Sequence, residues 1–152
     1  MYARLPPIAR VFFFRAAVAR APAEPAVILG TGFDLVDVAR FSRVASRHDE
    51  GFVAGLFSEA ERAWCARQRR PAEHLSARFA AREAALKALG TGLVGRMSWK
   101  DMEVVPGRSR GAVTLVLRGE VAAEAARQGV CRVHLALATT REVAAASVVL
   151  EG

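Results

Sequence analysis

The sequence predicts an α+β fold with antiparallel strands, and three features of the chain support this prediction. Residues 78–92 read RFAAREAALKALGTG, a helical pattern that ends at a glycine. Residues 131–138 and 143–152 have the composition of two strands, joined by a turn at Thr139 and Thr140. Helical and strand segments follow one another without a regular strand–helix–strand alternation, which argues against a parallel sheet.

The first 26 residues differ in composition from the rest of the chain. They contain four arginines and a single acidic residue, Glu24, and they end in a Pro/Ala-rich stretch. Their apolar run at residues 11–14 is too short for the apolar region of a secretory signal. We therefore interpret residues 1–26 as a basic N-terminal extension and residues 27–152 as one domain.

The domain begins with a predicted strand and a predicted amphipathic helix. Residues 26–38 read AVILGTGFDLVDV, an apolar β-rich run with a glycine break. Residues 36–47 continue as a helix with Val38, Phe41 and Ala45 on one side. The opposite side is basic, because three arginines share one helical face: Arg40, Arg43 and Arg47.

A second helix is predicted from residue 58 onwards. Ser58 and Glu61 have the spacing of a capping box, and Pro71 either ends this helix or begins the next one. The end of the helix is basic, with arginines at positions 67, 69 and 70. Cations favour helix C-termini in any case, so this cluster is either a docking surface or an ordinary solvated face.

The central helix carries charge beside its apolar stripe. Arg82 lies in the same helical sector as four apolar residues, which are Leu75, Phe79, Leu86 and Leu89. Unpaired burial of an arginine would be costly. Glu83 lies on the flank of the stripe and Lys87 follows one turn later, which on its own predicts a surface ion pair worth about 0.3–0.5 kcal/mol.

The second half of the domain is predicted to be mostly strand. Residues 97–105 lead to a turn at Pro106 and Gly107, and residues 111–117 alternate as a half-buried strand does. Residues 119–129 form a predicted helix closed by Gly129. The hairpin described above completes the pattern.

Composition limits the classes of function. A chain of 152 residues with 53% hydrophobic residues suits one soluble domain, and no apolar run approaches the length of about 18–20 residues that spans a bilayer. Cys65 and Cys131 form neither a CxxC pair nor a disulfide framework, which favours a reducing, cytoplasmic location. No His/Cys cluster has zinc spacing, so carboxylates are the candidate metal ligands. The net charge of +7 favours an acidic partner.

Asp34 and Glu83 form the candidate metal site. Mg²⁺ is commonly held by one or two carboxylates together with waters and phosphate oxygens. Lys87, one turn from Glu83, could contact those phosphates. The two GTG tripeptides, at residues 30–32 and 90–92, match neither a dinucleotide fingerprint nor a P-loop.

The order of these segments resembles the holo-acyl-carrier-protein synthase family, the small phosphopantetheinyl transferases. The matching segments are GTGFDLVDVARF, FSEAE, RFAAREAALKALGTG, SWKDMEV and the last two strands, and they span about residues 28–151. The resemblance implies a phosphopantetheinyl transferase-like fold, with the antiparallel sheet packed against the long central helix. It also implies Mg²⁺-dependent transfer of 4'-phosphopantetheine from coenzyme A to a carrier-protein serine, which releases adenosine 3',5'-bisphosphate.

The resemblance assigns roles to particular residues. Asp34 and Glu83 match the metal-binding carboxylates, and with Lys87 they form the predicted catalytic set. The predicted coenzyme A contacts are Lys87, Arg78, Arg82, Gly90 and His134. Arg82 stands where the family usually has lysine, and His134 is either a coenzyme contact or a satisfied strand histidine. The family's Ser/Thr-rich last-strand motif is replaced here by Ala136 to Thr139.

The expected partners are coenzyme A, an acidic apo acyl carrier protein and two further copies of the chain. Arg40, Arg43 and Arg47 are the predicted docking face for the carrier protein. The resemblance implies a homotrimer with each active site between subunits, and we expect neither nucleic acid nor a membrane as a partner. Two competing hypotheses are a basic nucleic-acid-binding module and a catalytically inactive carrier-protein-binding homologue.

Overall fold

The computed structural model describes residues 10–12, 26–48, 50–107 and 111–152, and it confirms the α+β prediction. The helices are α1 Val38–Arg47, α2 Glu50–Leu56, α3 Glu59–Ala66, α4 Pro71–Leu89 and α5 Gly119–Arg127, with a 3₁₀ turn at Trp99–Asp101. The strands are β1 Arg10–Phe12, β2 Ile28–Asp37, β3 Met102–Pro106, β4 Val113–Leu117, β5 Arg132–Thr139 and β6 Val143–Glu151.

The main sheet has four strands in the order β1-β5-β6-β2, and every neighbouring pair is antiparallel. The predicted hairpin is β5 and β6. Strand β2 pairs with β6 so that Asp34 lies opposite Ala146, which itself lies opposite Leu137 of β5. Strands β3 and β4 form a separate two-stranded sheet. No helix in the described part of the chain has the length and hydropathy to cross a bilayer.

Helix α4 covers one face of the main sheet, which we call the inner face. It contacts β2, β5 and β6. Small side chains line the contact and are buried, among them Ala80, Ala81, Ala84 and Ala85. Their size lets the helix backbone approach the sheet closely, and the larger inner-face residues Val148 and Leu150 fill the remaining core.

The apolar stripe predicted for α4 is divided between two clusters. Leu86 and Leu89 belong to the core against the main sheet. Leu75 and Phe79 pack instead against a second cluster formed by Phe41, Leu56 and Phe57. The central helix therefore joins the main sheet to helices α1 and α2.

Local signals in the sequence place several helix ends correctly. Both hydrogen bonds of the capping box between Ser58 and Glu61 are present at the start of α3. Pro71 begins α4 rather than ending α3. Gly90 ends α4 in the left-handed conformation, with φ of 72°, which explains why glycine occupies this position.

Part of the predicted N-terminal extension lies on the main sheet. Arg10–Phe12 form strand β1, which pairs with β5 so that Arg10 lies opposite Thr139. The remainder of the extension, residues 1–9 and 13–25, lies outside the described residues.

Candidate active site

Asp34 faces helix α4 because side chains alternate along strand β2. It lies opposite the buried Ala146 and therefore on the inner face, and its own side chain is mostly buried. Its neighbours Phe33 and Leu35 point to the outer face, where each is 58% exposed. The strand thus directs one carboxylate towards the helix from an otherwise apolar segment.

Two glycines of β2 bring the helix within reach of Asp34. A Cβ atom at Gly30 would lie 2.1 Å from the carbonyl oxygen of Ala88, and one at Gly32 would lie 1.9 Å from that of Ala84. Both distances are far below van der Waals contact, so any side chain at these positions would push α4 away from β2. The first GTG tripeptide therefore sets the spacing between the strand and the helix that carry the candidate site.

Lys87 forms an ion pair with Asp34. Its Nζ atom donates hydrogen bonds to Asp34 Oδ1 at 2.7 Å and to the carbonyl oxygen of Phe33 at 3.1 Å. The hydrogen bond to Asp34 raises the pKa of Lys87, so the side chain stays cationic at neutral pH. The spacing on the helix predicted Glu83 as the ion-pair partner of Lys87, but the partner in the structure is Asp34, because the contact with β2 brings this second carboxylate close to Lys87.

Glu83 lies one turn before Lys87 and is half-buried. Burial raises the pKa of Glu83, the negative charge of Asp34 raises it further, and the charge of Lys87 opposes both effects. Asp34 is thus close enough for its charge to disfavour ionisation of Glu83. A bound cation would relieve this repulsion.

The donor set suits Mg²⁺ better than a metal that needs a full protein cage. The described residues contain no group of three or more His, Cys, Asp and Glu side chains that could hold a metal ion. Mg²⁺ binds through one or two carboxylates and retains several waters, which substrate phosphates can replace. Asp34 and Glu83 match that requirement.

Arg82 lies away from this carboxylate pair, in the interior of the molecule. Its side chain has no exposed surface, and its guanidinium donates to Glu61 Oε2 at 2.5 Å. This environment argues against the predicted contact between Arg82 and coenzyme A, because a ligand could reach the guanidinium only after the surrounding packing had opened. Sequence reasoning assigned Glu61 to the capping box and missed that it also binds Arg82.

Arg78 is enclosed in the same way. It is 3% exposed, it lies over the ring of Trp64 at 4.3 Å from the centroid, and it donates to the carbonyl oxygen of His74. Burial lowers the pKa of Arg78. These contacts also argue against Arg78 as a coenzyme A contact. Gly90, by contrast, is exposed at the end of α4, one turn beyond Lys87.

His134 lies on the outer face of the sheet. It pairs in register with Val149, whereas Asp34 shares the inner face with Ala146. Its Nε2 atom lies 2.8 Å from Glu151 Oε2, and this hydrogen bond lowers the pKa of Glu151. Within one chain, His134 therefore does not join Asp34, Glu83 and Lys87.

The basic face predicted on α1 is exposed. Arg40, Arg43 and Arg47 are all accessible, and α1 begins directly after β2 with Asp37 as its N-cap. In the other basic cluster, Arg70 forms an ion pair with Glu73 of α4, while Arg67 and Arg69 are exposed. The arginine face of α1 is thus an exposed basic surface on the helix that comes directly after the strand carrying Asp34.

Comparison with known proteins identifies the family of the chain. Residues 30–143 match the model of the 4'-phosphopantetheinyl transferase superfamily. The chain belongs to this superfamily. A holo-[acyl-carrier-protein] synthase from Koribacter versatilis is 41% identical over 126 residues, covering 82% of this chain and 99% of that one. One from Anaeromyxobacter dehalogenans strain 2CP-1 is 47% identical over 129 residues, covering 83% and 98%.

Solved structures of phosphopantetheinyl transferases share the fold. The holo-[acyl-carrier-protein] synthase of Neisseria meningitidis superposes with a TM-score of 0.75 at 27% identity, covering 83% of this chain and all of that one. The Bacillus anthracis synthase, solved in complex with coenzyme A (3',5'-ADP), has a TM-score of 0.66 at 31% identity, covering 82% and 97%. The family resemblance, the fold and the class of enzyme predicted from the sequence are therefore confirmed.

Proposed function

We propose that this enzyme transfers 4'-phosphopantetheine from coenzyme A to a serine of an apo acyl carrier protein, in a Mg²⁺-dependent reaction that releases adenosine 3',5'-bisphosphate. The meeting of Asp34, Glu83 and Lys87 where β2 contacts α4 is the observation that carries the proposal. The coenzyme A bound by the Bacillus anthracis relative supports the choice of donor.

In the proposed reaction, the serine oxygen attacks the phosphorus that bears the pantetheine arm. A phosphorus–oxygen bond forms to serine, and the bond to the adenosine bisphosphate breaks. Such a transfer depends on positioning and on neutralising charge around phosphorus. Asp34 and Glu83 would hold Mg²⁺, which supplies the neutralising charge when bound.

Lys87 would add a second cation to the same site. The side chain of Lys87 is half-exposed, so a phosphate can approach it without rearrangement of the surrounding residues. The proton of the serine hydroxyl must also leave, and either Asp34, Glu83 or a water held in the site can accept it. The raised pKa of Glu83 makes its carboxylate more basic than that of an ordinary glutamate when no cation is bound.

The exposed arginines of α1 are the proposed docking surface for the carrier protein. Arg40, Arg43 and Arg47 are free to meet an acidic partner, and α1 follows the strand that carries Asp34. A partner on this helix would bring its serine towards the carboxylate pair. Complementary charge of this kind speeds encounter and orients the partner.

We also infer a homotrimer, which the outer face of the main sheet supports. Phe33 and Leu35 each expose more than half of their surface there, next to small residues of β6. A contiguous exposed apolar area typically marks an interface. Light scattering at assay concentration tests this inference, and a fully active monomer would contradict it.

The decisive test of the function is incubation with coenzyme A, Mg²⁺ and a panel of apo carrier proteins, read by intact mass. The expected product is a carrier protein heavier by one phosphopantetheine group, formed only when Mg²⁺ is present. A carrier protein whose acceptor serine is replaced by alanine is the matched substrate control, and excess chelator is the metal control. Absence of the mass shift across the panel would contradict the proposal.

A further inference from the structure

Glu61 of α3 is the centre of a polar network inside the protein. It is 3% exposed, and its carboxylate accepts hydrogen bonds from the backbone nitrogens of Ser58 and Val104, at 3.1 and 3.0 Å. Its Oε2 atom also accepts from Arg82, and Arg78 Nε lies 3.9 Å from Oε1. Three separate elements, α3, β3 and α4, therefore meet at one buried carboxylate.

Arg82 uses its whole guanidinium to join these elements. Besides Glu61, it donates to the carbonyl oxygen of Trp99 at 3.1 Å and to that of Arg78 at 3.0 Å. Its guanidinium carbon also lies 4.8 Å from the centroid of the Phe57 ring. A rigid planar group bonded in several directions holds its helix more tightly than an apolar side chain of the same size would.

The contacts of Arg82 and the glycines of β2 hold two different faces of α4. At about 100° per residue, Ala84 and Ala88 project roughly 200–240° round the helix from Arg82. Those two alanines are the residues whose backbone contacts Gly30 and Gly32. Glu83 and Lys87 project about 100–140° from Arg82, between the two faces.

Stability alone does not account for this network. A buried ion pair can often be replaced by apolar residues without loss of stability, because removing the charges from water is expensive. The network does fix direction, however, since its hydrogen bonds are satisfied at only one rotation of α4 about its axis. A small rotation would move the Glu83 carboxylate relative to Asp34.

We propose that Arg82 is a positioning residue, which acts through its ion pair with Glu61 to set the rotation of α4 and so the place of the Glu83 carboxylate opposite Asp34. The proposal rests on the proposed function for its consequence in catalysis. It gives the buried arginine a role at the site without contact with the coenzyme.

The test compares the Mn²⁺ affinities of four proteins by electron paramagnetic resonance, because Mn²⁺ takes the same oxygen ligands as Mg²⁺. The variant Glu61→Gln/Arg82→Met removes both charges and retains an acceptor for the Val104 nitrogen. Arg82→Lys retains the cation, and the wild-type protein is the reference. Val121→Ala, at a fully buried position of α5, controls for loss of stability alone.

We expect the double variant to bind Mn²⁺ about ten- to a hundredfold more weakly, as loss of residues that orient metal ligands commonly does. Arg82→Lys should recover most of the affinity, and Val121→Ala should retain that of wild type despite its lower melting temperature. Wild-type affinity in the double variant would overturn the proposal. If that variant does not fold, Glu61→Asp replaces it. Weaker Mn²⁺ binding by Glu61→Asp would then support the proposal, and wild-type binding would overturn it.

A separate measurement distinguishes this proposal from the proposed function. If the wild-type protein itself binds no Mn²⁺, the metal assignment fails. The crystal structure of the double variant then decides the positioning role, with that of Arg82→Lys as the control in which the Glu83 carboxylate should stay in place. Displacement of the Glu83 carboxylate in the double variant by about 1 Å or more relative to Asp34 supports the role, and an unmoved carboxylate there overturns it.

Discussion

Arg82 and Lys87 belong to the same helix and the same sequence motif, yet they have opposite environments. Arg82 has no exposed surface and is bonded to α3 and to the 3₁₀ turn, whereas the side chain of Lys87 is 52% exposed and is bonded to β2. Only the face of the helix separates them. The comparison shows that two basic residues of one motif can have different environments, one exposed beside the candidate site and the other buried in the scaffold.

The two ion pairs have similar lengths but should differ in energy. Arg82 lies 2.5 Å from Glu61, and Lys87 lies 2.7 Å from Asp34. Around Lys87, water screens the attraction and competes for both partners, so the pair adds little stability. Arg82 is shielded from solvent, so breaking the pair leaves a buried charge without solvation.

The largest expected effect is on stability, at the buried pair. Arg82→Ala should lower the free energy of unfolding by about 3–5 kcal/mol, because it leaves the Glu61 carboxylate buried without its main partner. Urea denaturation followed by circular dichroism measures this change. A loss below about 1 kcal/mol would mean that water enters the space and solvates Glu61.

The next effect is on activity, at the carboxylates. Glu83→Ala or Asp34→Ala should reduce kcat/KM at saturating Mg²⁺ by about a hundredfold or more, since each removes one of the two proposed protein oxygen ligands. Both variants should fold. Glu83→Ala should not lose stability, because burial already disfavours the charged form of Glu83. The mass assay and thermal melting report the two quantities separately. Full activity in both variants would contradict the assignment of the metal site to Asp34 and Glu83.

Replacement of the exposed Lys87 should affect activity much more than stability. Lys87→Ala should change the free energy of unfolding by less than about 1 kcal/mol. Its kcat/KM should fall about tenfold or more, because the phosphates would lose a neighbouring cation. Unchanged kinetics with carrier protein and coenzyme A would make Lys87 a surface ion pair and nothing more.

A smaller effect is expected on helix α1, where the arginines contact neither carboxylate. Arg43→Glu should slow capture of the carrier protein and weaken the dependence of kcat/KM on salt, because steering by exposed charges is screened by ions. Ser42→Glu, at an exposed position about 100° round the same helix from Arg43, is the control for a negative charge added outside the arginine face. Identical salt profiles for Arg43→Glu and wild type would place the docking surface elsewhere.

The smallest expected effect is a dependence of stability on pH from Glu103. The hydroxyl of Ser58, and then Arg118, hold the pKa of Glu103 below its ordinary value of 4.5. The folded protein therefore favours the ionised form, and this stabilisation is present above pH 4.5 and lost as pH falls through the lowered pKa. Melting temperatures measured down to about pH 3 should decline less steeply in Glu103→Gln than in wild type.

Local signals predicted much of the fold, because the atoms involved are close in sequence. The capping box of Ser58 and Glu61, the start of α4 at Pro71 and its end at Gly90 each depend on residues within one turn. The β5–β6 hairpin likewise depends on one short turn. These features follow from hydrogen bonds that the backbone must satisfy wherever the segment lies in the fold.

The candidate site was less predictable, because it depends on contacts between distant segments. The family resemblance supplied Asp34, Glu83 and Lys87, but the burial of Arg82 depends on Glu61, which no local pattern links to it. The same limit applies to Gly30 and Gly32, whose role depends on the distance between β2 and α4. The predicted contact between Arg82 and coenzyme A came from the position of Arg82 in the sequence motif, whereas the buried guanidinium is bonded to Glu61.

The pairing of β2 with β6 has a consequence for when this site can form. Asp34 lies opposite Ala146, and β6 is the only neighbour of β2 among the described strands of the sheet, so the strand that carries Asp34 cannot join the sheet until β6, much later in the chain, has been synthesised. Contacts between such distant segments pay a large loop-closure entropy and form slowly. Helix α4 can form early during synthesis, but its small inner-face residues have no sheet to pack against until β5 and β6 have been made. In the newly made chain, the candidate site therefore cannot assemble before β6 has joined the sheet.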